Sequence, residues 1–258
     1  MARENRNSKN TSGGVRWRLW FGLIALGAII ASTAMAAAKV RSHLLSDPAY
    51  RLSRDRSDAL TIQGLVYASR SKVQRVFAAD FDRSIFSVPL DERRRRLMAL
   101  DWIEDASVAR IWPGRLVVRV RERKPVAFVF FPSGILLIDR QGALLDPPAQ
   151  AQFTFPVLSG VREDETREQR AEHVRAMLRV QEDLGYLAKD ASEINTADTD
   201  NIRMVVKMEG HAVELMLGDT NFGRRYQNFL NHYPEIAKRS PDVKTFDLRL
   251  DDRITAKE

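Results

Sequence analysis

The sequence predicts an α+β protein: an N-terminal transmembrane helix, a compact strand–helix–helix–strand–strand (βααββ) unit, then a second, mixed β-sheet domain with helices. Three observations carry this. Leu19–Ala38 reads LWFGLIALGAIIASTAMAAA, twenty residues without a charge. Arg115–Arg121 sets Leu116, Val118 and Val120 against Arg115, Arg119 and Arg121, the period-two signature of a half-buried strand. From Pro125 onward, apolar runs are separated by turn residues, as in successive hairpins.

The first element is the apolar run. Twenty residues at a helical rise span about 30 Å, the thickness of a bilayer's hydrocarbon core. Trp17 and Trp20 stand at its start, where indole rings favour the interface. A basic start and the small-residue stretch Ala34-Met35-Ala36 also describe a cleavable signal peptide, so anchor and signal both remain open on these residues. A buried helix of a soluble protein is disfavoured because the run has no polar face. Five Lys/Arg precede the run and five follow it within Lys39–Arg56, so charge does not orient it.

The division along the chain follows: a tail over 1–18, the membrane helix over 19–38 in contact with lipid, and a polar linker over 39–57 around Asp47-Pro48. The βααββ unit occupies 58–124 and the β domain 125–258. Ala59–Leu65 is the first strand. Ser69 or Ser71 caps a helix carrying Val73, Val76 and Phe77. A second helix starts at Pro89 and runs through Leu90, Leu97 and Leu100. Glu104–Ile111 and Arg115–Arg121 form a hairpin around Trp112-Pro113-Gly114. The four arginines Arg93–Arg96 cover some 300° of a helix and so do not form one face; they read as a solvated surface, with Arg94 snorkelling outward.

In the β domain, Val126–Phe131 and Ile135–Asp139 flank the Pro132-Ser133-Gly134 turn. A short segment, Phe155–Gly160, precedes a helix over Thr166–Leu187. Ile202–Met208 and Ala212–Leu217 form a hairpin around Glu209-Gly210. A helix then places Phe222, Tyr226, Phe229, Leu230, Tyr233 and Ile236 on one face. One strand, Val243–Ile254, ends the pattern.

Composition narrows the chemistry. Of 258 residues, 44% are hydrophobic and 29% charged, enough for a real core. There is no cysteine, which excludes disulfides, thiolate metal sites and cysteine nucleophiles. The four histidines, His43, His173, His211 and His232, are too scattered for a local metal motif. Most of the net charge of +7 sits in residues 1–18, where five basic side chains face Glu4 alone; this is a membrane-flanking pattern, not a nucleic-acid face. No Gly-rich phosphate loop, nucleophile elbow or H-E-x-x-H is present. No catalytic, cofactor or metal residue is expected, and a binding module fits better than an enzyme.

Several stretches taken together resemble the FtsQ/DivIB family of bacterial cell-division proteins, over a range from about Leu60 to the end. They are Trp102-Ile103-Glu104, Trp112-Pro113 and the alternating strand into Glu122-Arg123-Lys124-Pro125-Val126-Ala127. Gly134–Asp139, Phe155–Gly160 and Phe246-Asp247-Leu248-Arg249-Leu250 extend the match, the last with Leu250 where an aromatic is usual. The resemblance implies an uncleaved anchor in the inner membrane, a cytoplasmic N-terminus, and POTRA and β domains in the periplasm at the septum. It implies a scaffold bound by FtsB-like and FtsL-like proteins and other divisome components. The expected contact is the last strand, over Thr245, Phe246, Asp247, Leu248, Arg249, Leu250 and Asp251. The alternative is a secreted or membrane-associated POTRA-containing binding protein of a transport or assembly complex.

Overall fold

The computed structural model describes residues 13–251 and 253–257. The first twelve residues of the expected 1–18 tail lie outside the described residues. Helix α1 (Gly13–Ser46) is one uninterrupted helix of 34 residues, and its stretch Trp20–Ser46 is long and apolar enough to cross a membrane, its apolar core being unburied by protein. It overruns the expected 19–38 at both ends, so Lys39–Ser46, read as the start of a linker, is helical. The stop has a local cause. Asp47 precedes Pro48, which disfavours helical backbone there, and its side chain instead accepts from Ala49 N at 2.8 Å to cap the 3₁₀ turn Pro48–Tyr50.

The folded chain divides into two compact units that interleave in sequence. One takes the chain up to Thr61 with Phe77–Arg93 and Val108–Val118; the other takes Ile62–Val76, Arg94–Ser107 and Arg119 onward. The expected βααββ order is present: β1 (Leu60–Gln63), α2 (Arg70–Val76), α3 (Leu90–Met98), β2 (Ile103–Ile111) and β3 (Arg115–Glu122). The strands form a sheet of order β1-β3-β2. On β3, Leu116, Val118 and Val120 are buried while Arg119 and Arg121 are exposed, as the alternation requires. Gly64 ends β1 at φ 86°, and a Cβ there would lie 2.1 Å from the Val120 carbonyl oxygen, so no other residue fits.

The reading of Arg93–Arg96 as a solvated surface needs correction at Arg93. Arg93 is 5% exposed and forms a two-pronged ion pair with the buried Asp80, at 2.6 and 2.8 Å. This bond holds the Arg93 guanidinium above its ordinary pKa. Arg94 is half exposed and reaches outward as expected, where it donates to the Ala106 carbonyl at 2.7 Å and to Asp105 at 2.9 Å. Paired acids distant in sequence made these partners invisible to helical spacing.

Among the described residues the second sheet has nine strands. They are β4 (Pro125–Phe131), β5 (Gly134–Asp139), β6 (Leu144–Leu145), β7 (Val157–Ser159), β8 (Ala191–Asn195), β9 (Ile202–Met208), β10 (His211–Gly218), β11 (Thr245–Asp247) and β12 (Thr255–Lys257). Their order is β12-β11-β10-β9-β8-β7-β4-β5-β6. Sequence reading placed no strand at β8. Its pairing with β9 is irregular between Ala191 and Glu193, and its buried residues, Ala191 and Ile194, stand three apart, so no period-two signal exists.

Helices α4 (Arg167–Leu184) and α5 (Phe222–Arg239) contribute to the core with β4 and β7–β11, around Val129, Leu158, Val174, Met177, Ile194 and Leu215. On α5, Phe222, Tyr226 and Phe229 are buried, and Leu230, Tyr233 and Ile236 pack beside them, the face that the spacing predicts. Thr166 caps α4 with Gln169 in a reciprocal pair of bonds of 3.3 and 2.9 Å. Thr166→Ala is expected to cost about 0.5–2 kcal/mol. A urea midpoint equal to that of the parent chain would refute this.

Candidate partner-docking edge

The expected single strand Val243–Ile254 is two short strands. Thr245–Asp247 forms β11, the chain leaves the ladder from Arg249 to Asp251, and Thr255–Lys257 returns as β12. Asp247 is the cause. Its carboxylate accepts from the Arg249 backbone N–H at 3.1 Å and from the Arg249 guanidinium at 2.8 and 2.6 Å, folding the chain back on itself. The Arg249 bond also holds the Asp247 carboxyl below the ordinary carboxylate range.

The core presents this segment. Phe246 and Leu248 are buried, and the Phe246 ring meets Phe229 of α5 at 5.2 Å. β11 pairs parallel with β10, Glu214 opposite Thr245 and Met216 opposite Asp247. Glu214 N donates to the Lys244 carbonyl at 2.8 Å and Leu248 N to the Met216 carbonyl at 2.9 Å. Even-numbered residues here therefore turn their backbone groups toward β10, and Thr245 and Asp247 turn theirs toward β12.

β12 lies antiparallel on that side, Thr245 opposite Lys257, Phe246 opposite Ala256 and Asp247 opposite Thr255. Ala256 accordingly aims its N–H and C=O outward, away from β11. All three β12 residues are exposed, and β12 is the terminal strand of the sheet. Of the seven residues expected at the docking edge, Phe246 and Leu248 belong to the core, and Thr245 and Asp247 are covered along their edge by β12. Arg249 is engaged by Asp247, and Leu250 is 54% exposed. Asp251 accepts from Arg225 at 2.8 Å, which holds its carboxyl low. A groove of about 320 Å³ opens beside them, lined by Arg224, Arg225, Asn228, Leu248, Leu250 and Arg253 among others.

The stretch that carries the family resemblance builds the fold. The Glu122 carboxylate gathers the N–H groups of Val66, Tyr67 and Ala68 at 2.8–3.1 Å. Arg123 donates to Asp139 at 2.9 Å and to the Asp101 carbonyl at 3.0 Å, and Trp102 donates to the Asp146 carbonyl at 2.9 Å. Two adjacent charges at the end of an alternating strand were the only sequence signal of these bonds. Among the described residues, no group of three or more His, Asp or Glu is placed to hold a metal.

Comparison with known proteins gives the family directly. A family model described as POTRA domain, FtsQ-type, matches residues 56–123, and one described as cell division protein FtsQ/DivIB, C-terminal, matches 128–249. The chain is 33% identical over 245 residues to a cell division protein FtsQ of Koribacter versatilis, covering 92% of this chain and 69% of that protein. It is 26% identical over 259 residues to FtsQ of Shewanella oneidensis, covering 96% and 89%. A solved extracytoplasmic domain of DivIB from Geobacillus stearothermophilus overlaps 48% of this chain and 98% of its own, at 22% identity and a TM-score of 0.25, too loose a superposition to argue from. The chain belongs to the FtsQ/DivIB family of bacterial cell-division proteins.

Proposed function

We propose that this single-pass membrane division protein is a scaffold that joins other division proteins at the septum. In this reading α1 anchors it with the N-terminus cytoplasmic and the folded part outside. The β11–β12 ribbon, with Thr245–Asp251 between and beside its strands, receives an FtsB-like partner, in company with an FtsL-like protein and other divisome components. The observation that carries this is the terminal position of β12, whose outward backbone groups can add a strand from another chain. No catalytic residue enters the reading: the acids with shifted pKa values near this edge are held by neighbouring arginines.

We also propose that the POTRA-like and β domains meet near Pro125. The matched ranges, ending at 123 and resuming at 128, support that boundary. A fluorescent fusion of the full chain is expected to gather at midcell and to co-purify with the FtsB-like partner. Uniform membrane fluorescence with no partner recovered would refute the scaffold reading. A mature protein beginning near Ala37 in the soluble fraction would favour the secreted alternative.

A further inference from the structure

The C-terminal end of α1 packs within its own unit. The Ser84 hydroxyl donates to the Leu44 carbonyl at 2.7 Å, and Arg51 bridges to Ser84. Between this helix end and the 3₁₀ turn Ile85–Ser87 lies an open groove of about 680 Å³, lined by Ala37, Val40, Arg41, Leu44, Leu45, Phe86 and Ser87. Five of these residues recur at helical spacing along one face of α1. Among the described residues, the lining holds one cation, Arg41, and no carboxylate.

The depth of this groove follows from the helix. The uncharged run ends at Ala38, so Ala37 stands at the hydrocarbon boundary. At the helical rise, Arg41 lies about 5 Å and Leu44 about 9 Å beyond Ala38. The headgroup layer is roughly 5–8 Å thick on each side. The groove therefore spans that layer, with Arg41 at phosphate level. Val40 is 59% exposed in the protein alone, apolar surface that lipid covers without cost.

Phe86 also belongs to a three-ring cluster, 5.4 Å from Tyr50 and 5.3 Å from Trp112, and Trp112 is 60% exposed. The amphipathic rings of Tyr50 and Trp112 favour the membrane interface. We propose that this groove seats a phospholipid of the leaflet that α1 leaves. Its phosphate bonds Arg41, its acyl chain runs inward from there along Val40 and Ala37, and Tyr50, Phe86 and Trp112 rest in the interface. The unit that carries these rings thus sits on the membrane surface rather than hanging from a free linker. This rests on α1 crossing the membrane; the continuity of the groove with that helix, and its acid-free lining, argue for lipid over a protein occupant.

The absence of cysteine makes the test direct, because each introduced thiol is single. Ser87→Cys and, separately, Trp112→Cys are labelled with bimane in the full chain reconstituted into phosphatidylcholine vesicles. Headgroup-nitroxide lipid is expected to lower the emission about threefold relative to nitroxide-free vesicles, and Arg41→Glu to remove at least about half of that quenching. Equal emission with and without nitroxide at both positions overturns the proposal. Gly27→Cys, in open surroundings within the span, reports on the premise: quenching there by mid-chain nitroxide with none at 87 and 112 sinks the groove alone. No quenching at 27 sinks the spanning helix itself. A photocrosslinker attached to the thiol of the Ser87→Cys chain in cells is expected to yield lipid adducts, and a protein adduct as the main product overturns the proposal in favour of a partner helix.

Discussion

Asp139→Ala is expected to lower the unfolding free energy by about 3–5 kcal/mol, the loss typical of leaving one member of a buried ion pair without its partner. The Asp139 side chain is 1% exposed and that of Arg123 10%, so water replaces little of the lost interaction. Asp139 also accepts from the N–H groups of Gln141 and Ala143, at 2.9 and 2.8 Å, and these lose their acceptor at the β5–β6 turn. Arg123→Met alone is expected to cost a similar amount, because the Asp139 charge then stays buried.

The double variant is expected to lose less than the two single losses combined, since no charge is stranded. Urea titration of the detergent-solubilised chain, followed by far-ultraviolet circular dichroism, reads all three. Single losses under about 1 kcal/mol that simply add would show that the pair is an ordinary surface bridge. Arg93→Met provides the parallel case in the other unit, against Asp80 at 1% exposure.

These pairs mark where sequence reading stopped. Period-two alternation found β3, which has one buried face. Turn residues between apolar runs marked the β4–β5 and β9–β10 hairpins, although β5 and β10 bury consecutive residues. Helical spacing found the buried face of α5. The hydrocarbon length of Leu19–Ala38 gave the membrane helix, while its extension to Ser46 was hidden by the charges of Lys39 and Arg41, which do not interrupt a helix outside the bilayer. β8 escaped because its buried residues are out of phase. Arg93 looked like solvent-facing charge because its acid lies 13 residues away, and nothing beside Arg123 in the chain pointed to Asp139, 16 residues on. At the docking edge, alternation across Phe246, Leu248 and Leu250 suggested a single long strand, and the bond from Asp247 back to Arg249 is what breaks it.

That break changes the decisive test of the docking edge. Asp251 lies in the turn on Arg225, so proline there reports on the turn and not on strand addition. Ala256→Pro is the informative change. It removes an N–H that faces outward, leaves the bonds of Thr255 and Lys257 to β11 in place, and suits an edge position. Losing one main-chain bond of about 1–1.5 kcal/mol weakens an FtsB-like partner about tenfold. Ending the chain after Asp251 removes β12 altogether, and binding is then expected to fall more than about 100-fold while the core around Phe246 stays folded.

Tighter binding by the shortened chain would mean that the partner takes the place of β12 on β11, with Thr245 and Asp247 as its backbone contacts. Arg249→Glu addresses the remaining contact. Arg249 already spends its guanidinium on Asp247, so an acidic partner residue must compete with that carboxylate, and a loss beyond about tenfold would show that it does. Wild-type affinity in Ala256→Pro, in the shortened chain and in Arg249→Glu, each with an unchanged melting temperature, would place the partner elsewhere on the molecule.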